Sequence, residues 1–505
     1  MTATGTLLEF FAAIEECERG YAVSRWNING VPTWPFVRVE GRSEILQNHP
    51  PGGIHRSFMS RGIQLARSIG SPLLSPLENI QDWKHETLRL PSVDALFLGD
   101  GISQDLIEGA WRDRFCAPLI EEFEKSGATT LLTQPRAQKL PRERSAYSVH
   151  WVDLWGRMLA RTRRARDVEL PDYAAVQAVF RDRGFDLNTL KQPQLERWAV
   201  RVATMARLVD HILARTQPKI GLSVSYYWEI GFAFNLACRR RGILSVDIQH
   251  GAQDGRHEAY NLWHSMPMDG YSILPAIFWT WTEEDAQAIN AWADRMEKPW
   301  HRALWGGHPQ LAEWLNDSSA RVREFDLSIA NIKQQSDGTF DILVALQDNR
   351  LYSAVWDSLA DLILSSPSHW RWWLRRHPAR AYDGGTGLKR LLTINKPNVL
   401  IEQASSFPLP ALLRNADAVL SLMSSTAIEA SFFGHRPIFL TEDARMQFSQ
   451  VFEADKADVI TDPTLLMARL TELSRGGEKS LQGYRPPNLQ DTAHKLFDFA
   501  RSYPL

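Results

Sequence analysis

Residues 417–440 read DAVLSLMSSTAIEASFFGHRPIFL, a strand, a helix and a strand in close succession. The apolar run DAVLSL predicts a buried strand, STAIEASFFG (425–434) a helix that ends at a glycine, and RPIFL (436–440) the next strand. Ser424, Ser425 and Thr426 lie where strand becomes helix, and their small side chains let a phosphate approach the free amides of a helix start. Simple capping is the alternative, because Thr426 and Glu429 have the spacing of a capping box.

The same alternation continues on the amino-terminal side of this stretch. FDILVALQ (340–347), WRWWLRRHP (370–378) and NVLIE (398–402) predict further strands of the same unit. VDALFLGD (93–100), TTLLTQP (129–135), IGLSVSYY (220–227) and GILSVDIQHG (242–251) predict an earlier unit, with a helical stretch after residue 100. Strands that alternate with helices form parallel sheets covered on both faces. The sequence therefore predicts an α/β chain with two Rossmann-like, doubly wound domains facing a central cleft.

The length of 505 residues exceeds what a single core supports, which also indicates two domains. We expect residues 1–90 to elaborate the first domain and residues 91–310 to form its Rossmann-like body. Residues 335–488 are expected to form the second Rossmann-like domain. Residues 489–505 are expected to form a helix that packs back on the first domain.

Four residues at predicted strand ends of the second domain, and one in its helix, are candidate ligand contacts. Arg376 and His377 precede a proline that ends a strand, and an imidazole in the cleft can neutralise a phosphate. Gln347 and Asn349 follow the first strand of the domain, where backbone and side chains meet ligands of doubly wound sheets. Glu429 is placed to orient the same ligand. The alternative for a lone histidine is a purely structural role.

The loop DIQHGAQDGRHEAY (247–260) of the first domain concentrates groups that can accept a proton. His250 directly follows a predicted strand, and Asp254 and Glu258 follow in a polar loop, so each is a candidate general base. Glu229, at the start of the preceding helix, is a fourth candidate. The alternatives are a solvated, turn-rich loop and, for Glu229, a partner of the helix dipole.

Composition excludes several classes of protein. There are 57 Lys and Arg against 59 Asp and Glu, a net charge of −2, which argues against a nucleic-acid-binding protein. The three cysteines are far apart in sequence, which argues against a disulfide framework or zinc site and fits a reducing cytosol. We predict no signal peptide and no membrane span, and expect a cytoplasmic protein. His250 and His257 have no metal-ligand spacing, so neither a metal ion nor another cofactor is expected.

Three motifs in this order resemble the capsule and surface-polysaccharide glycosyltransferases of the GT-B type. They are QHG (249–251), RHP (376–378) and the run with SST (424–426), EA (429–430) and PI (437–438). The resemblance is to bacterial Kdo transferases, sialyltransferases and polysialyltransferases and, more distantly, to teichoic-acid polymerases. It covers roughly residues 220–440.

This resemblance implies roles for particular residues. By its pattern His377 binds the donor phosphate, Ser424 and Ser425 hold the same phosphate, and the enzyme works without a metal ion. Several of these families use CMP-activated acidic sugars. The acidic pair followed by glycine that supplies the base in sialyltransferases is half matched here, by Gln253, Asp254 and Gly255.

The function expected from residues and resemblance together is sugar transfer from a nucleotide donor, best a CMP-activated Kdo- or sialic-acid-type sugar. The acceptor would be a surface polysaccharide or a lipid-linked glycan, bound by the first domain, and a lipid-linked acceptor is compatible with peripheral contact at the inner membrane. One alternative is a CDP-polyol phosphotransferase of the teichoic-acid type with His250 as base. Others are a non-catalytic GT-B scaffold in a polysaccharide assembly complex and a sugar epimerase. The acceptor, the anomeric stereochemistry and the oligomeric state stay open.

Overall fold

The computed structural model describes residues 3–48, 87–135, 141–253, 257–298, 300–315, 319–335, 339–347, 352–377, 385–476 and 485–502. The described strands, in chain order, are β1 (Asn27–Ile28), β2 (Val31–Pro32), β3 (Ala95–Leu98), β4 (Gln104–Ile107), β5 (Ala110–Asp113), β6 (Thr130–Gln134), β7 (Tyr147–Ser148), β8 (Val168–Glu169), β9 (Ile220–Val224), β10 (Leu244–Ile248), β11 (Ile277–Thr280), β12 (Arg302–Trp305), β13 (Phe340–Ala345), β14 (Trp370–Arg375), β15 (Val399–Leu400), β16 (Ala418–Ser421), β17 (Ile438–Phe439) and β18 (Asp458–Val459).

The described helices connect and cover these strands. They are Ala3–Gly20, Trp34–Asn48, Cys116–Lys125, His150–Ala160, Tyr173–Asp182, Gln192–Thr216, Glu229–Arg240, Glu283–Ala293, Pro309–Trp314, Ala320–Gln334, Ser353–Ser365, Gly385–Leu392, Glu402–Ser406, Leu409–Asn415, Thr426–Phe432, Ala444–Gln447, Ser449–Glu453, Pro463–Ser474 and Leu489–Ser502, with short 3-10 turns at Val23–Arg25 and Asn188–Leu190.

Two parallel sheets dominate the architecture. The first has the order β12-β11-β10-β9-β3-β6-β7, and the second has the order β15-β14-β13-β16-β17-β18. In each sheet the chain runs outward on one side, returns to the middle and runs outward on the other, so the order reverses between β3 and β9 and between β13 and β16. The α/β class with two Rossmann-like, doubly wound units, the GT-B architecture, is thereby confirmed.

Strands of the second sheet are buried on both faces, as the continuous apolar runs predict. Every residue of β13 and β14 is buried, including Arg371. The Arg371 guanidinium donates to Asp341 at 2.7 Å, and the indole N–H of Trp373 donates to the same carboxylate at 2.7 Å. A charge inside a covered parallel sheet is tolerated here because it is paired and hydrogen-bonded.

The N-terminal helices Ala3–Gly20 and Trp34–Asn48 belong to the core of the first sheet. Phe36 stacks on Trp198 of the helix Gln192–Thr216 with ring centroids 4.5 Å apart. A small antiparallel sheet, β2-β1-β8, joins the same layer. Residues 49–86 of the segment expected to elaborate this domain lie outside the described residues.

The helical stretch predicted directly after residue 100 is wrong at its start. The chain forms the antiparallel hairpin β4–β5 before the helix Cys116–Lys125 begins. Its turn residues Glu108 and Gly109 have φ angles of 51° and 78°, the left-handed pair of a type I′ hairpin. The sequence pattern does not reveal this hairpin, because its buried positions include charged residues, among them Asp105 and Arg112. Their hydrogen-bond partners, such as Gln310 and Glu121, lie outside the hairpin.

The last helix, Leu489–Ser502, packs on the layer of the first sheet, where the Phe497 ring lies 4.8 Å from that of Phe123. The helix Ala320–Gln334 precedes the second sheet and contacts it through Lys333, whose ammonium lies 2.8 Å from Asp341. Within the described part of the chain, no helix is long and apolar enough to span a membrane.

Candidate functional site

The carboxyl ends of the two sheets meet at one junction, which consists of the loop 249–253 after β10 and the loop 422–426 after β16. Ala252 of the first loop packs on the apolar cluster that contains Ala427 and Phe439. Both loops lie at or next to the point where the strand order reverses. Ligands of doubly wound sheets bind at such points, so we expect a ligand to bind at the junction.

His250 is half-buried on the first side of the junction. Its Nε2 lies 3.3 Å from the hydroxyl of Tyr227, and its Nδ1 is buried with no hydrogen-bond partner among the described residues. Burial lowers the pKa of His250, and the nearby carboxylate of Asp100 opposes this shift. The imidazole is therefore neutral at pH 7 and able to accept a proton.

Asp100, which the sequence analysis did not single out, is fixed beside this histidine. It lies in the loop 99–103 after β3. One of its carboxylate oxygens accepts from the backbone amides of Ile102 and Ser103 at 2.8 Å each. The other accepts from the Ser103 hydroxyl at 2.7 Å. A Gly-Asp pair that directly follows an apolar strand was the available signal, because such a position lies at the ligand-binding edge of the sheet.

Glu258 is held in an ion pair rather than presented to the junction. Its two carboxylate oxygens each lie 3.3 Å from the Arg42 guanidinium, and its side chain is 6% exposed. Against the effect of burial, the charges of His257 and Arg42 lower the pKa of Glu258. A paired carboxylate with a lowered pKa is a weak base, so the geometry favours another group for that role.

Glu229 is likewise ion-paired, which favours another group for the base role. Glu229 begins the helix Glu229–Arg240 and pairs with Arg201 and with Arg157, the latter at 3.5 Å. That arrangement matches the alternative interpretation of a helix-start acid with structural partners. Asp254 lies outside the described residues, as does Asn349.

A buried arginine fixes the loop that follows His250. The Arg38 guanidinium donates to the carboxylate of Glu18 at 2.5 Å and to the backbone carbonyls of Glu258, Asn261 and Leu262 at 3.1, 2.6 and 3.1 Å. It also lies over the ring of Trp263, 3.9 Å from the centroid. The N-terminal helices thus set the path of residues 258–263, and the sequence pattern gave no sign of this.

On the second side of the junction, Gln347 holds the loop that carries the serines. Its amide nitrogen donates to the carbonyl of Met423 at 3.1 Å, and its amide oxygen accepts from the Met423 N–H at 2.7 Å. These two hydrogen bonds use both polar atoms of the Gln347 amide and hold the loop in position. The residue predicted to contact a donor is therefore tied to the loop backbone in the described structure.

Ser424, Ser425 and Thr426 form a compact hydroxyl group at the start of the helix Thr426–Phe432. The hydroxyls of Ser424 and Thr426 lie 3.0 Å apart, and the Ser424 hydroxyl accepts from the Thr426 N–H at 3.3 Å. The capping box of Thr426 and Glu429 is wrong, because Thr426 is already the first helical residue and the N-cap is Ser425, whose side chain makes no cap bond. The carboxylate of Glu429 turns instead toward the first domain.

His377 and Arg376 differ in exposure and in their contacts. His377 is exposed at the carboxyl end of β14. The Arg376 guanidinium lies 2.7 Å from the exposed carboxylate of Glu402, and its backbone N–H donates to the Ser405 hydroxyl. Of the two, His377 is the better placed to meet a ligand.

Glu429 lies buried between the two domains. Its carboxylate lies 3.8 Å from Nε2 of His308, which follows β12 of the first sheet. Burial raises the pKa of Glu429 to about 7 against the opposing charge of Arg114, and burial lowers the pKa of His308 to about 3. The Asp105 carboxylate of the hairpin adds a second interdomain contact, 3.9 Å from Arg375. These contacts make Glu429 an interface residue in the described structure.

We expect the stability of the protein to depend on pH through Glu429. Since its pKa rises from 4.5 to about 7 on folding, its contribution is full below pH 4.5 and lost as the pH rises through 7. In Glu429→Gln, the fall in unfolding free energy between pH 5.5 and pH 8 should shrink by on the order of 1–3 kcal/mol. Urea unfolding at both pH values measures it. Glu442→Gln, at an exposed acid paired with Arg445, is the control and should keep the wild-type slope. An unchanged slope in Glu429→Gln would refute the assignment.

No protein-family model and no curated protein matches this chain. Among solved structures, UDP-GlcNAc 2-epimerase from Neisseria meningitidis bound to UDP-GlcNAc is 13% identical over 81% of this chain and 99% of that chain, with a TM-score of 0.47. The glycosyltransferase SnogD from Streptomyces nogalater is 15% identical over 81% and 99%, at 0.39. The wall teichoic acid polymerase TagF is 11% identical over 81% and 84%, at 0.39. These TM-scores lie below 0.5, so no function is inferred from these neighbours.

Proposed function

We propose that this chain transfers a group from a nucleotide-activated donor to a hydroxyl of a glycan or lipid-linked acceptor, with His250 as the general base. The observation that carries the proposal is the packing of Ala252 on the cluster of Ala427, which brings the loop of His250 against the loop of Ser424. In the proposed complex, the base and these hydroxyl donors act on the same bound donor and acceptor.

In the favoured reaction, the acceptor oxygen attacks the anomeric carbon of the donor sugar. Its proton passes to the neutral imidazole of His250, a new glycosidic C–O bond forms, and the bond from the sugar to the nucleotide phosphate breaks. The leaving phosphate takes the bonding electron pair, and the hydroxyls of Ser424, Ser425 and Thr426 and the imidazole of His377 stabilise its charge. Positioning and electrostatic stabilisation would supply the rate.

The nucleotide is best a cytidine phosphate, by resemblance to the Kdo and sialic-acid transferases. The first test measures the melting temperature of the protein with CMP, CDP, UDP, GDP and dTDP, each with and without EDTA. Stabilisation by CMP that EDTA leaves unchanged supports a metal-independent transferase of an acidic sugar. Stabilisation by UDP, GDP or dTDP instead would replace the donor with a neutral or amino sugar, and no shift at all would oppose a donor site.

A second candidate is a CDP-polyol phosphotransferase, which would use the same phosphate site and the same base. The carboxylates of Glu258 and Glu229 are ion-paired, which leaves a histidine as the described base, the residue type that this alternative requires. Product analysis by phosphorus NMR separates the two reactions. A new phosphodiester supports the phosphotransferase, whereas a glycosidic product with free nucleotide supports the glycosyltransferase. Nucleotide binding without any turnover would favour a non-catalytic scaffold.

The variant His377→Ala is expected to lose more than tenfold in turnover while the protein stays folded. The exposed imidazole lies at the carboxyl end of β14, so its removal withdraws a charge partner of the leaving phosphate without opening a core. Steady-state rates and melting temperatures measure the two effects. His369→Ala, at an exposed histidine next to the opposite end of the same strand, is the matched control and should behave as wild type. Normal turnover in folded His377→Ala would remove this role.

A further inference from the structure

A second polar pocket opens at the ligand-binding edge of the first sheet, away from the junction. Its walls come from the end of β6, from the hairpin strand β5 and from the segment 141–144, which runs beside Trp111. The same hairpin carries Asp105, which lies 3.9 Å from Arg375 of the second domain. In the sheet, β6 is three strands away from β10, so the ends of these two strands lie about 14 Å apart.

A chain of hydrogen bonds fixes which way the side-chain amides of the pocket point. Arg142 can only donate, so the atom of Gln134 that it contacts is the amide oxygen. The amide nitrogen of Gln134 then donates to Asp113 at 3.3 Å. Since the Gln134 oxygen also receives Gln104 at 3.0 Å, the nitrogen of Gln104 must be the donor.

This orientation leaves the amide oxygen of Gln104 as an acceptor without a hydrogen-bond partner among the described residues. Gln104 is 4% exposed and lines the pocket. An unsatisfied buried acceptor is costly, which is why such atoms in native proteins have a ligand or a water as partner. The pocket is narrow, so it admits a hydroxyl group of a ligand rather than a complete sugar ring.

The charged residues that line the pocket are of both signs, which disfavours an ionic ligand, and Arg142 and Asp113 both hydrogen-bond to Gln134. Arg112 lies 2.6 Å from both Glu121 and Glu143, and Arg144 lies 2.9 Å from Glu124. The vacant position therefore calls for a neutral hydrogen-bond donor. The half-buried Trp111 ring and the side chains of Leu132 and Ala117 supply the apolar part of the wall.

We propose that this pocket is a subsite for a neutral, hydroxyl-bearing part of the acceptor, with a hydroxyl of the ligand donating to the amide oxygen of Gln104. This inference rests on the proposed function and narrows its substrate class. Because the strand ends next to the pocket and next to His250 lie farther apart than one sugar ring spans, the acceptor is an extended glycan. Its reacting end lies at the junction, and a neutral unit farther along the chain is held at Gln104.

The test measures sugar binding directly and does not depend on transfer. Saturation-transfer NMR titrations of the full chain use lactose and maltotriose as neutral probes and glucuronate as an anionic probe. The expected result is binding of a neutral probe, weakened at least tenfold in Gln104→Met, which keeps the volume of the side chain and removes its acceptor. Gln192→Met, at an exposed glutamine, should bind as wild type. Trp111→Ala provides a second variant that leaves the buried amides in place and should also weaken binding.

The outcomes separate this inference from the proposed function. The subsite is overturned if wild type binds no neutral probe, as expected for a site that holds only water, or if folded Gln104→Met and Trp111→Ala both bind as tightly as wild type. It is also overturned if glucuronate binds at the pocket in preference to the neutral sugars. If Gln104-dependent sugar binding is found while no nucleotide shifts the melting temperature, the subsite stands and the proposed donor site fails.

Discussion

The variant His250→Ala is expected to lower kcat/KM for transfer by about 100- to 10,000-fold, the usual contribution of a positioned general base. Its imidazole is the described titratable group of the junction that is neutral and not held in an ion pair. Its nearest partner is the hydroxyl of Tyr227 at 3.3 Å, so the substitution removes little of the internal hydrogen bonding. Initial rates with the donor selected by the nucleotide panel, at varied acceptor concentration, measure the loss.

The pH profile gives an independent signature of the same residue. The base must be neutral, and burial lowers the pKa of His250. The decline of kcat/KM toward acid pH should therefore have its midpoint below pH 6.5, the ordinary histidine value. That decline should be absent from the residual activity of His250→Ala. His211→Ala, at an exposed histidine of the helix Gln192–Thr216, should keep both rate and profile. A folded His250→Ala protein with wild-type kcat/KM would exclude the base assignment.

Arg38→Ala is expected to destabilise the protein by about 3–5 kcal/mol, the cost of breaking a buried ion pair. Removal of the guanidinium leaves the Glu18 carboxylate buried without its charge partner, and three backbone carbonyls of the loop 258–262 lose their donor. Both side chains of the pair are at most 2% exposed, so solvent cannot replace the lost bonds. Urea unfolding followed by circular dichroism measures the change in unfolding free energy.

An exposed ion pair of the same layer supplies the control for Arg38. Arg25 lies 2.6 Å from Glu169, but the two side chains are 68% and 54% exposed. Arg25→Ala should cost less than about 1 kcal/mol, because water and salt screen such pairs. The double variant Arg38→Met with Glu18→Leu should recover part of the loss, since it removes both buried charges. If Arg38→Ala were as mild as Arg25→Ala, the guanidinium would not be what fixes the loop.

The apolar runs predicted the strands well because parallel strands are buried on both faces. VDALFLGD contains β3, FDILVALQ contains β13 and DAVLSL contains β16, each within two residues of the expected bounds. Such a strand needs a continuous apolar run, and that requirement is local to the chain. The hairpin β4–β5 was missed because buried charges interrupt its apolar pattern, and their partners lie outside the hairpin. Arg114 lies 2.7 Å from Asp105, and Gln310 donates to the same carboxylate at 2.6 Å.

Sequence alone therefore determined the class of the fold and the positions of His250, His377 and the serine loop at strand ends, because strand burial and strand termination are read from neighbouring residues. Tertiary structure alone decided which of the described candidate groups are ion-paired and which are buried. Arg42, which is 216 residues away in sequence, pairs with the carboxylate of Glu258. Packing between the domains likewise buries Glu429 against His308. Ion pairing and burial set the pKa and the accessibility of each group, and both depend on contacts between residues far apart in sequence.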